Sequence, residues 1–126
     1  MNITVKVKSF QEWTKIIRGF VSGGDLFEIR CWQGENKELA EKWGEFSEKT
    51  DVETVYCGNV TNQFLKSICL MKGEDEKISE IFTISFTVGT MFVFSEKYGT
   101  EIHILNADET DKEFLIKNNI TDISVY

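Results

Sequence analysis

Apolar and polar residues alternate strictly from Asn2 to Lys8, with Ile3, Val5 and Val7 on one side and Thr4, Lys6 and Lys8 on the other. That period of two predicts a half-buried strand. Ser9-Phe10-Gln11-Glu12 then reads as a capping box, and Phe10, Trp13, Ile16, Ile17 and Phe20 mark one face of a helix that should stop at Gly23-Gly24. Phe27, Ile29 and Cys31 alternate with Glu28 and Arg30, predicting a second strand over 25–32. A strand, a helix and a strand in this order suggest a crossover with the two strands parallel, though not necessarily adjacent. The spacing of Leu39, Trp43 and Phe46 predicts a helix over 35–49, which would align Glu38, Glu41, Glu45 and Glu48 in one stripe.

A short strand is expected over 52–57. Thr61 or Asn62 then caps a segment in which Phe64, Leu65, Ile68 and Met71 fit a helix, although a strand stays open. The densest β-branched and aromatic run follows, from Ile81 to Leu105, and should supply the central strands of the sheet. Phe82, Ile84, Phe86 and Val88 form its core face. Gly89-Thr90 suits a two-residue type II′ turn that sets Val88 opposite Met91 and Phe86 opposite Val93. Glu96-Lys97-Tyr98-Gly99 makes a second hairpin turn with Gly99 left-handed, and Ile102 and Ile104 then alternate with Glu101 and His103. A last helix runs from Asp108 to Asn118, anchored by Phe114 and Leu115, and residues 120–126 return as an edge strand. The order of elements predicts a single α+β domain over residues 1–126. Its sheet is expected to be mixed and mostly antiparallel, with three to four helices packed on it.

Charge adds a division that the pattern does not show. Residues 1–72 carry ten groups of each sign, while residues 73–126 carry four lysines against eleven carboxylates, so the whole excess of −7 lies in the second part. Such a field repels phosphates, which argues against direct nucleic-acid or membrane binding and favours a basic partner. Three cysteines without a Cys-x-x-Cys pair read as reduced thiols. The alternating N-terminus lacks the apolar segment of a signal peptide, and a cytoplasmic location is expected.

Candidate chemistry is sparse. His103 is the sole histidine, which excludes a two-histidine metal site; with Glu101 it could form a small acid/base pair on a strand face. No nucleophile, phosphate loop or metal loop is recognisable, so no catalytic residue, cofactor or metal is assigned. Asp108-Glu109-Thr110-Asp111 is explained by helix capping. Two acidic surfaces remain as partner-binding candidates: Glu96, Glu101, His103, Asp108, Glu109 and Asp111, or the stripe Glu38, Glu41, Glu45 and Glu48. The first is preferred because no nearby lysines balance it.

The tract Phe94-Ser95-Glu96-Lys97-Tyr98-Gly99-Thr100-Glu101-Ile102-His103-Ile104, leading into acidic residues 108–113, resembles small bacterial immunity proteins. These are the cytosolic antidotes of contact-dependent growth inhibition and related polymorphic toxin systems. The likeness is one of size, acidity and layout over the last third of the chain. It implies a monomer or weak homodimer that forms a one-to-one complex with the C-terminal domain of a cognate toxin, a basic and nuclease-like one. Two other readings are a ligand-binding or enzymatic module using the face with Phe92, Phe94, Glu101 and His103, and a phage or mobile-element inhibitor of a host enzyme.

Overall fold

The computed structural model describes residues 1–35 and 37–126. Among them, eight strands make one antiparallel sheet and four helices complete an α+β domain. The strands are β1 (Ile3–Lys6), β2 (Leu26–Trp32), β3 (Glu45–Lys49), β4 (Glu53–Asn59), β5 (Thr83–Val88), β6 (Met91–Glu96), β7 (Glu101–Leu105) and β8 (Ile123–Val125). The helices are α1 (Phe10–Phe20), α2 (Glu38–Trp43), α3 (Asn62–Ile68) and α4 (Glu109–Lys117). Strand order across the sheet is β3-β4-β2-β5-β6-β7-β1-β8, so the run from Ile81 to Leu105 does build its centre.

β1 and β2 are separated by β5, β6 and β7, and every neighbouring pair is antiparallel. Four antiparallel steps bring β2 back to the direction of β1. The crossover through α1 therefore joins two strands that point the same way without creating a parallel pair. The hairpin at Gly89-Thr90 pairs Val88 with Met91 and Phe86 with Val93. Gly89 sits at φ +61° while Thr90 keeps a negative φ, as the type II′ turn requires.

α1 packs Trp13, Ile16, Ile17 and Phe20 against the sheet, and the Trp13 indole N–H donates to Ser95 Oγ at 2.9 Å inside the core. Ser9 caps the helix by accepting from the Glu12 amide, but the Glu12 carboxylate accepts from the Lys8 amide instead of closing the box on Ser9. The helix ends at Phe20, before the glycine pair. α3 is a helix capped by Thr61, whose hydroxyl accepts from the Phe64 amide; Phe64 then stacks on Phe27 with ring centroids 4.1 Å apart. Phe114 of α4 meets Phe20 of α1 edge-on at 5.2 Å.

The expected helix over 35–49 is the main correction. α2 stops at Trp43, Gly44 is already extended (φ −117°, ψ 167°), and the chain continues as β3, paired with β4. Glutamate and lysine favour a helix here, but β4 offers a partner for the backbone that local propensity cannot register. The stripe is thus divided: Glu38 and Glu41 lie on α2, Glu45 and Glu48 on β3. All five β3 residues are exposed, and Ser47 forms a bulge between Phe46, opposite Tyr56, and Glu48, opposite Val55.

The helices and the buried alternate residues form one hydrophobic cluster on one side of the sheet. Ile84, Phe86, Val93, Ile102 and Ile104 are fully buried there. Phe82 departs from the expected core face. It is half-buried, and its ring meets Trp32 and Tyr98 instead. No helix among the described residues is long and apolar enough to cross a membrane.

Candidate functional site on the uncovered sheet face

The other side of the sheet carries no helix. Its register places one row of side chains across all eight strands: Glu45, Cys57, Glu28, Ser85, Phe94, His103, Thr4 and Ser124. Neighbouring rows add Glu48, Val55, Arg30, Thr83, Glu101 and Lys6 at one end, and Asn59, Leu26, Thr87, Phe92 and Leu105 at the other. Ser85, Thr83 and Val55 are short and buried among longer neighbours, whereas Leu26, Trp32 and Phe92 are exposed.

Two polar groups stand on this face. Arg30 joins Glu28 at 2.6 Å and Glu53 at 2.5 Å. Burial works against its charge, but the two carboxylates outweigh that and hold its pKa above the ordinary value. On the opposite flank, Glu96 and Glu101 face each other across the β6–β7 hairpin, a like-charge pairing that is unfavourable unless compensated. His103 Nε2 lies 3.0 Å from Glu96 Oε1 and 3.7 Å from Glu101 Oε2, and Lys97 Nζ reaches Glu101 Oε2 at 3.3 Å. Burial pushes the Glu101 carboxyl up. Hydrogen bonds with Lys97 and Glu96 and the charges of Lys97 and His103 outweigh it, leaving the group below its ordinary value.

The turn that aligns these groups is tightly specified. Lys97, Tyr98 and Gly99 all take positive φ (53°, 56° and 78°), a strained sequence for the first two. Tyr98 compensates by many attachments: its ring packs edge-on against Phe82 at 4.9 Å, Lys77 lies 4.2 Å above it, and its hydroxyl donates to Glu35. Gly99 packs so closely on Trp13 that an added Cβ would lie 2.9 Å from the indole.

The structure brings Glu96, Glu101 and His103 together but separates them from Asp108, Glu109 and Asp111. The latter belong to the start of α4, beyond the far end of β7, a strand spanning about 13 Å. Asp108 and Asp111 are occupied in a complete capping box, each carboxylate accepting from the other's amide at 2.9–3.0 Å. The premise that no lysine balances this cluster is also corrected, because Lys97 pairs with Glu101 and Lys6 lies opposite it. Sequence reading missed Glu28, Arg30, Glu53 and Thr4 as members of the face. Turn-based register can place Phe94 opposite His103, but only the tertiary pairing of β1 with β7 brings Thr4 beside it.

A shallow hollow of about 460 Å³ lies between Glu45, Cys57, Glu28, Ser85, Thr87 and Phe92. It does not reach Glu101 or His103. On the helical side, a cleft of about 290 Å³ is floored by Ile29, Cys31, Leu39, Trp43, Met71 and Ile81, with Glu35, Glu38, Glu80, Arg30 and Lys42 as its charged lining. Burial pushes the Cys31 thiol up, against the opposing charge of Lys37, which disfavours a reactive thiolate there. No protein family matches the chain, and neither a curated protein nor a solved structure is detectably similar to it.

Proposed function

We propose that this protein works by binding a basic protein partner through its uncovered sheet face. In this reading it is a cytoplasmic immunity protein that neutralises the C-terminal domain of a cognate toxin, a nuclease in the favoured case. The observation that carries the reading is the composition of that face. Glu28, Glu45, Glu48, Glu53, Glu96 and Glu101 stand there against Arg30, Lys6 and Lys97, with the aromatic rings of Trp32, Phe92 and Phe94 among them. Aromatic anchors among charges mostly of one sign suit an electrostatically steered interface. A nuclease cleft built for phosphate offers the complementary sign.

The acidic groups come from both parts of the chain, so the face and not the second half alone is the proposed contact surface. The alternative enzymatic reading is less well supported, because the hollow on this face excludes Glu101 and His103. An inhibitor of a host enzyme would use the same surface on a different partner.

The test expresses, one at a time, the proteins encoded beside this chain's gene and measures their binding by surface plasmon resonance. A toxin domain should bind with an association rate that falls steeply with salt. Glu28→Lys with Glu101→Lys should slow association at least tenfold, and Glu109→Lys at the distant α4 start should leave it nearly unchanged. Absence of any binding toxin among those neighbours, or loss of binding only in Glu109→Lys, would overturn the proposal.

A further inference from the structure

We infer that Glu96, Glu101 and His103 form a binding site for one divalent transition-metal ion. The three ligand atoms lie within 4.8 Å of one another, each side chain being between a fifth and a third exposed. The inference is independent of the partner reading, since it concerns a small ion and these three side chains alone.

The imidazole is oriented for the role. The Thr4 hydroxyl lies 2.9 Å from His103 Nδ1, where its oxygen can accept an Nδ1–H when Nε2 gives its lone pair to a metal. With Nδ1 beside Thr4, Nε2 faces the carboxylates, the arrangement by which outer groups orient metal-bound histidines. Phe94 stacks beside the ring, with centroids 5.8 Å apart, and limits its rotation.

The spacing also suits a metal. Bonds of about 2.0–2.2 Å to nitrogen and carboxylate oxygen place tetrahedral ligands roughly 3.4 Å from each other. His103 Nε2 stands 3.0 Å from one carboxylate oxygen and 3.7 Å from the other, on either side of that value. Glu96 and Glu101 are directly opposed, and a single proton on Nε2 compensates only part of their repulsion, whereas a divalent ion compensates both. One imidazole with two carboxylates selects zinc, manganese or iron(II) over calcium and magnesium, which prefer all-oxygen sites. The side toward solvent leaves open positions for water or a partner's side chain. Lys97 is the competitor: its ammonium holds Glu101 Oε2 at 3.3 Å, but it is largely exposed and can swing away.

Because His103 is the only histidine in the chain, its ring resonances report on the site without ambiguity in untagged protein. Manganese(II), which binds thiolates poorly, serves as the paramagnetic probe, and zinc(II) is titrated by calorimetry in a Cys57→Ser background. The expected results are selective broadening of the His103 ring by substoichiometric manganese and one zinc per chain. Glu101→Gln should weaken zinc at least tenfold, Thr4→Val should weaken it severalfold, and Lys97→Ala should tighten it. Circular dichroism of each variant separates lost ligation from lost folding. His103 signals that respond to pH but not to metal, or equal zinc affinity in wild type and Glu101→Gln, would reduce the cluster to a proton-bridged ion pair and overturn the inference.

Discussion

Ile84, Phe86, Val93, Ile102 and Ile104 are sealed from solvent, while their neighbours one residue along, among them Thr87, Phe94, Glu101 and His103, look out from the opposite side of the same strands. The backbone hydrogen bonds are common to both faces, so the difference lies in the side chains and what covers them. Helices and interlocked rings specify the fold on one face. The other carries opposed carboxylates and exposed aromatic rings, features that add little to stability.

The contrast between the faces is tested most severely at Phe64, on the covered side. Phe64→Ala removes the ring between Phe27 and Trp43 and should lower unfolding free energy by about 3–5 kcal/mol, read from urea denaturation. A loss under about 1 kcal/mol would mean that α3 does not hold the sheet as described. Gly99→Ala comes next, because it combines a disfavoured φ of +78° with a Cβ 2.9 Å from Trp13. It should cost roughly 1–3 kcal/mol and weaken the grouping of Glu96 with His103, visible as a changed ring chemical shift.

On the uncovered side the scale reverses. Phe94→Ala should change stability by less than about 1 kcal/mol yet reduce partner affinity about tenfold or more. Equal damage to folding would show that this ring belongs to the core after all. The smallest effect is alkaline. The hydrogen bond to Glu35, followed by burial, holds the Tyr98 phenol above its ordinary value, so the fold favours the protonated form. The stability it contributes is whole below about pH 10, the phenol's unfolded value, and is lost as pH rises through the higher folded one. Denaturation midpoints should therefore decline over that window in wild type more than in Tyr98→Phe; parallel declines would remove Tyr98 as the cause.

What the sequence made legible follows from how local each signal is. The turn at Gly89-Thr90 determines its own register, so the pairing of Phe86 with Val93 follows from counting residues outward from the turn. Thr61 and Asp108 cap their helices through amides only three residues away. β3 failed because its identity depends on β4, and because glutamate-rich segments satisfy helical spacing as easily as they decorate an edge strand. The site was half legible for the same reason. Glu96 and Glu101 meet through a short hairpin, whereas Thr4 reaches His103 from the far end of the chain, and Asp108 looked close to Glu101 only along the sequence.

The bulge at Ser47 has a consequence for the molecule in a crowd. An eight-stranded antiparallel sheet ends in free backbone donors and acceptors, a template on which another copy could stack without limit. At β3 that template is spoiled, because the extra residue disturbs the ladder's register and Glu45, Glu48 and Lys49 put charge along the rim. A protein whose broad sheet carries helices on only one face thus keeps one border of that sheet closed to polymer growth.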